Sequence, residues 1–100
     1  MADRFSIVVV HRNGAETLLR TLDALAAATD SGRDQVLVVD NGSSDDSLAR
    51  ARAAHPSVRI VENGCNMGYA GAINRAVQST ESDFVLVLNN DAVVPPGLFD

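Results

Sequence analysis

Apolar residues follow two rhythms along this chain, and the rhythms alternate. "FSIVVV" (5–10), "QVLVVD" (35–40) and "DFVLVL" (83–88) are short, nearly continuous apolar runs rich in Val. Such runs predict strands buried on both faces. "SVRIVE" (57–62) mixes charged with apolar residues and predicts a strand nearer a sheet edge. Between the runs the period lengthens. In "NGAETLLRTLDALAAA", Leu18, Leu22, Leu25 and Ala26 recur at helical spacing beside Leu19 and polar Arg20 and Asp23. "GSSDDSLARARAAH" predicts a second helix, N-capped by Ser43 or Ser44, with Asp45 and Asp46 in its first turn, where the helix dipole favours carboxylates. His55-Pro56 ends it, because a residue before proline is driven out of the α region. "YAGAINRAVQST" (69–80) puts Ala70, Ile73 and Val77 on one stripe of a third helix. The predicted order is βαβαβαβ, an α/β fold.

Short links between alternating strands and helices imply a parallel sheet with right-handed crossovers, so the carboxyl ends of all strands lie along one edge. Each strand is followed by a polar cluster: His11-Arg12-Asn13-Gly14, Asp40-Asn41-Gly42-Ser43, Glu62-Asn63-Gly64 and Asn89-Asn90-Asp91. The clusters therefore share a rim, which is where open α/β sheets bind ligands. Gly14 and Gly42 permit tight turns there, with backbone N–H groups facing a phosphate.

Composition narrows the ligand. One hundred residues make one domain and exclude a large enzyme. A net charge of −5 argues against a nucleic-acid partner, which normally meets a basic footprint. All eight basic residues are Arg. Without Lys there is neither a Walker phosphate loop nor a receiver domain with its phosphate-contacting Lys. Cys65 stands alone, so there is no intramolecular disulfide or cysteine-rich metal site, and it reads as a small half-buried loop residue. The apolar runs fall far short of the ~18 residues of a membrane-spanning helix, and the N-terminal run has no cleavage pattern after it. A cytoplasmic location is expected.

Four segments in order, "VVVHRNGAETLLRTLDAL", "VLVVDNGSSDDS", "NMGYAGAINRAV" and "FVLVLNNDAVVPPG", resemble the nucleotide-sugar-binding half of the family 2 glycosyltransferases, which have the GT-A fold. The likeness runs from about Ile7 to the last residue, and the fourth segment is most similar to bacterial transferases of rhamnose, galactofuranose and related sugars. The resemblance implies a three-layer sandwich with a parallel sheet in the order 3-2-1-4. It implies a nucleoside diphosphate sugar as donor and a glycan or lipid-linked glycan as acceptor, the full-length protein then working at the membrane surface.

It also implies roles for residues. A divalent cation, Mg²⁺ or Mn²⁺, chelated by both phosphates acts as a Lewis acid on the leaving diphosphate and needs a carboxylate oxygen at the rim. Asp91 closes the family's Asp-x-Asp motif, which here reads Asn89-Asn90-Asp91. The first carboxylate is thus exchanged for a carboxamide, able to bond a ribose hydroxyl but weaker toward metal. A plain polar turn is the alternative reading of these residues. Asp40 is implied to accept from an imino N–H of the nucleobase, beside Asn41; an Asx turn capping the next helix competes with that role or coexists with it. In the GxxxGxxG stretch, Gly68 and Gly71 let backbone approach the donor, with Asn74 or Arg75 one turn on, unless the glycines only permit close helix–sheet packing. His11 and Arg12 replace the threonine and aromatic residue usual before the shared Asn13. His11 reads as a hydrogen-bonded structural group, whereas Arg12 suits stacking on a base or pairing with phosphate.

An inverting transferase needs a general base for the acceptor hydroxyl, which this family carries in its acceptor half. That half is expected beyond residue 100, making residues 1–100 a truncated domain, inactive in transfer by itself. A non-catalytic nucleotide-binding or interaction module is the competing class. A phosphatase-like domain with Asp40 as nucleophile is more remote, since the paired Asp and the Lys are missing. In the implied strand order, 83–88 is an apolar edge, so a homodimer through it is expected.

Overall fold

The computed structural model describes residues 5–29, 34–80 and 84–89. Along the chain these form β1 (Phe5–His11), α1 (Ala15–Ala28), β2 (Asp34–Asp40), α2 (Ser47–Ala54), β3 (Arg59–Glu62), α3 (Gly68–Gln78) and β4 (Phe84–Asn89). One parallel four-stranded sheet has the order β3-β2-β1-β4. The expected topology is therefore present, with β3 at one edge and β4 at the other among the described residues.

Both faces of the central strands are covered, which accounts for their unbroken apolar runs. Ile7, Val9 and Val38 pack with Leu18, Leu22, Leu25 and Ala28 of α1 and Ala51 of α2. Val8, Leu37 and Val39, one residue out of phase, pack with Ala72 and Ala76 of α3. Each fully buried Leu or Val contributes roughly 1.5–3 kcal/mol relative to exposure, and β1 and β2 supply residues to both layers.

Three local expectations are corrected. The buried stripe of α3 is Ala72 and Ala76, while Ala70 is exposed, Ile73 is half-buried and Val77 is 48% exposed. Methyl side chains let α3 lie close on the sheet, and larger residues at those two positions would lift it off. On α1, Ala26 is exposed and Ala28 takes its place in the core. α2 begins at Ser47, so Asp45 and Asp46 precede the helix and neither Ser43 nor Ser44 caps it. The reason lies in the competing partners that these polar groups find across the rim.

Candidate functional site

Parallel register brings the strand ends together. His11 lies opposite Asp40, Asp40 opposite Glu62, and Val10 opposite Asn89. The ladder continues one step into the loops, with Asn41 N donating to His11 O and Asn63 N to Asp40 O, each at 2.9 Å. The first residues after β2 and β3 are thereby tied to the neighbouring strand.

Asp40 is 3% exposed and turns its carboxylate onto the chain that follows it. Oδ2 accepts from Gly42 N at 3.2 Å and Ser43 N at 2.9 Å, and Oδ1 accepts from the Ser43 hydroxyl. This is the Asx turn anticipated as one of its roles. Gly42 makes the turn possible: its φ is +89°, and a Cβ there would stand 3.2 Å from Cys65 Cα.

A second set of bonds joins the loop after β1 to the loop after β2. Asn13, at φ 58°, accepts through Oδ1 from Ser44 N at 2.8 Å and Asp45 N at 3.3 Å, while Asn13 N donates to Ser43 Oγ at 2.9 Å. Asn is among the few residues that tolerate this left-handed conformation. Asp45 Oδ2 accepts from Gly14 N, the N-cap of α1, at 2.8 Å. Its Oδ1 accepts from Ser47 N at 3.1 Å and from the Ser47 hydroxyl. Ser47 Oγ also lies 2.9 Å from His11 Nε2. These bonds draw Asp45 out of the first turn of α2, and they hold its carboxyl at a pKa of about 2, through the Ser47 hydroxyl first and the Gly14 N–H next. Burial pushes the His11 pKa below its ordinary value, against the pull of Asp40 and Asp45.

A third set ties the loop before α3 to β2. Asn41, 4% exposed, donates through Nδ2 to Gly68 O at 3.2 Å and accepts through Oδ1 from Asn63 Nδ2 at 2.9 Å and Met67 N at 3.4 Å. The backbone partners fix which way the Asn41 amide points, and Asn41 in turn fixes Asn63, whose buried Oδ1 finds no donor among the described residues. Gly68, at φ +74° and the first residue of α3, receives support from Asn66 Oδ1, which accepts from its N–H at 2.9 Å.

The sequence-predicted residues therefore fall into distinct groups. Asn13, Asp40, Asn41 and Gly68 come together at the rim, the first three as the residues that fasten the loops. Arg12 is exposed beside them. Gly71 is half-buried, and a Cβ there would meet Met67 Cβ at 3.0 Å. Asn74 is exposed on α3, and Asn89 closes β4. Asn90 and Asp91 lie outside the described residues. Gly14 and Gly42 do make turns at positive φ, and the N–H of each donates to a carboxylate of this chain. Cys65, expected half-buried, is exposed. Sequence reasoning misses Asp45, Ser47 and Asn63 as fastening residues; a Ser-Asp-rich loop is the signal of the first two, and a place in the polar cluster after the third strand is that of Asn63. Among the described residues no three His, Cys, Asp or Glu side chains gather as a metal site, and no helix is long and apolar enough to cross a membrane.

Residues 6–99 match the family model described as glycosyl transferase family 2. The chain is similar to an N-acetylglucosaminyl-diphospho-decaprenol L-rhamnosyltransferase of Mycobacterium tuberculosis, with 32% identity over 111 residues that take in 100% of this chain and 36% of the relative. It thus spans about a third of that relative's length. Among solved structures, the mannosyltransferase PcManGT from Pyrobaculum calidifontis, in complex with GDP-Man and Mn²⁺, superposes with a TM-score of 0.85 at 26% identity, over 94% of this chain and 29% of its own. Glucosyl-3-phosphoglycerate synthase from Mycobacterium tuberculosis, in complex with Mn²⁺, UDP and glucosyl-3-phosphoglycerate, gives a TM-score of 0.80 at 27% identity over 97% and 37%.

Proposed function

The chain belongs to glycosyl transferase family 2, and from that membership we propose that it is the donor-binding part of an enzyme that moves a sugar from a nucleoside diphosphate sugar to an acceptor hydroxyl. The observation that carries the proposal is the convergence of all four strand ends, with three mutually fastened loops, on one rim of the sheet. Fastened loops suit this task, because catalysis by positioning requires a site ordered before the ligand arrives.

Arg12, Asn13, Asp40, Asn41, Gly68, Gly71, Asn74, Asn89 and Asn90 are the proposed donor-binding residues. Asn13 and Asn41 serve by holding backbone in place, and Asp40 keeps its base-reading role only through lone pairs left over from its turn. A divalent cation with Asp91 as its carboxylate would stabilise the leaving diphosphate as a Lewis acid. The Mn²⁺ in two of the similar structures supports this. The acceptor is a glycan or lipid-linked glycan, a reading supported by the decaprenol-linked acceptor in the rhamnosyltransferase's name, and the reaction is then placed at the cytoplasmic membrane surface. Acceptor binding and the general base are assigned to a region corresponding to the remaining length of such relatives.

Calorimetric titration of the purified chain with UDP, GDP and dTDP, with and without Mn²⁺, tests the reading. Binding of one of them, strengthened by Mn²⁺ in the wild type and not in Asp91→Ala, is the expected result. Equal strengthening in both would remove Asp91 from the cation site, and no binding to any of the three would remove the donor function. We further propose that the isolated chain pairs with a second copy through β4, whose only strand partner among the described residues is β1.

A further inference from the structure

A diphosphate brings two or more negative charges, and binding sites commonly meet them with backbone N–H groups at helix starts and tight turns. Several of those donors on this rim are bonded within the chain. Gly14 N goes to Asp45, Gly42 N and Ser43 N go to Asp40, and Ser44 N and Asp45 N go to Asn13. At the start of α3, Met67 N goes to Asn41 and Gly68 N to Asn66. Redirecting any of them outward would take a hydrogen bond from a carboxylate or carboxamide of the chain's own.

The side chains of the rim add negative charge, from Asp40, Asp45, Asp46 and Glu62. Positive charge must therefore come from a side chain, with whatever cation the diphosphate carries. The arginines are unequally available. Arg52 is held by Glu62 at 3.0 Å, and Arg59 donates to Ser79 O at 2.6 Å. Arg75 is in the last turn of α3, seven residues beyond Gly68 and so about 10 Å along the helix from the rim. Arg12 follows β1 directly, is exposed, and has no hydrogen bond or ion pair among the described residues. The fastened Asn13 and Gly14 fix the backbone immediately after it.

We infer that Arg12 binds the diphosphate of the donor by ion pairing. This rests on the donor-binding reading above and goes further, since it chooses between the base and the phosphates as the partner of this guanidinium. Guanidinium pairs bidentately with phosphate oxygens, and such charge-assisted bonds are the strong ones.

Calorimetry on the wild type, Arg12→Gln, Arg12→Lys and Arg12→Tyr distinguishes the possibilities, using whichever of UDP, GDP or dTDP the wild type binds, and the matching nucleoside. Because Arg12 is exposed and has no partner among the described residues, the variants should fold, and far-ultraviolet circular dichroism verifies it. Arg12→Gln should lose about tenfold to a hundredfold in nucleoside diphosphate affinity and keep nucleoside affinity within about twofold. Arg12→Lys should recover part of the loss, and added salt should weaken the wild type more than Arg12→Gln. Equal losses for diphosphate and nucleoside, with affinity kept in Arg12→Tyr, would mean stacking on the base and overturn the inference. Unchanged affinity in Arg12→Gln would overturn it too while leaving the donor-binding reading in place. A wild type that binds none of the three nucleotides overturns both.

Discussion

His11 and Ser47, 36 residues apart in the chain, meet at 2.9 Å through Nε2 and Oγ in the buried base of the rim. The Ser47 hydroxyl donates its one hydrogen to Asp45, which as a carboxylate only accepts. His11 must then carry its proton on Nε2 and donate to Ser47, so Asp45, through Ser47, sets the tautomer of a buried imidazole. The chain Asp45–Ser47–His11 fastens α2 to β1 at the point where the two rim loops join.

The burial of His11 makes stability depend on pH. Burial lowers the pKa of His11 from 6.5, so the folded state favours the neutral ring while the unfolded chain takes up a proton as pH falls through about 6.5. The unfolded state binds more protons in that window, and stability therefore falls on acidification until the folded pKa is passed. Denaturant midpoints measured from pH 8 to pH 5 should decline below about pH 7. In His11→Gln, which keeps a donor without a titration, the decline should flatten. An identical decline in the variant would assign it to other groups.

Asp45 works in a lower window. Its carboxyl titrates at about 2 in the folded protein against an ordinary value of 3.8, with the Ser47 hydroxyl the larger cause and the Gly14 N–H the next. Its contribution is complete above about pH 4 and disappears as pH falls toward 2. Acid unfolding followed by circular dichroism should therefore shift to higher pH in Asp45→Ala than in Asp46→Ala. Coincident curves would show that the loop junction adds nothing.

Much of this architecture is legible in sequence because it depends on periodicity. Val8 and Ile7 face opposite layers, and both layers are apolar, so the run "FSIVVV" shows almost no alternation. The strand order is legible only through the family resemblance. Hydrophobicity misplaces the α3 stripe for a physical reason: it ranks Ile73 and Val77 above Ala72 and Ala76, but close approach of a helix to a sheet selects small volume over apolar area. The loop junctions are illegible for another. Asn13, Ser44 and Asp45 each have several partners available in sequence, and only the parallel register of β1 and β2 decides which ones meet.

The α3 finding has its own test. Ala76 is fully buried against the layer of Val8, Leu37 and Val39, whereas Val77 is 48% exposed. Ala76→Leu should cost about 1–3 kcal/mol through overpacking, while Val77→Ala should stay within about 0.5 kcal/mol of the wild type. Chemical denaturation gives both values, and the reverse ranking would restore the stripe that hydrophobicity alone suggests.

Gly42 and Gly64 separate conformation from space. Both have positive φ, +89° and +76°, but a Cβ at Gly42 would meet Cys65 Cα at 3.2 Å and one at Gly64 would meet nothing within 4 Å. Gly64→Ala should cost roughly 1 kcal/mol for the backbone conformation, and Gly42→Ala about 1–3 kcal/mol, because it also displaces the loop before α3. Nucleotide affinity should fall only in Gly42→Ala. Equal costs and equal affinities would show that the Asp40 turn and the α3 loop are not in register with each other.

The edge of β4 away from β1 gives the last prediction. Among the described residues β4 pairs only with β1, so its other edge presents backbone donors and acceptors with no described strand beside them, the arrangement through which sheets recruit a second chain. Its side chains favour this, with Val85 38% exposed and Leu86, Val87 and Leu88 half-buried. Two copies related by a twofold axis would pair β4 antiparallel to β4 and bury Val85 against its own symmetry mate. Sedimentation velocity of the isolated chain at high micromolar concentration should find a dimer or larger species, and Val85→Lys should shift it toward monomer while leaving the circular dichroism spectrum intact. A wild type that remains monomeric at that concentration would remove β4 as a contact surface, and a dimer indifferent to Val85→Lys would move the contact elsewhere on the molecule.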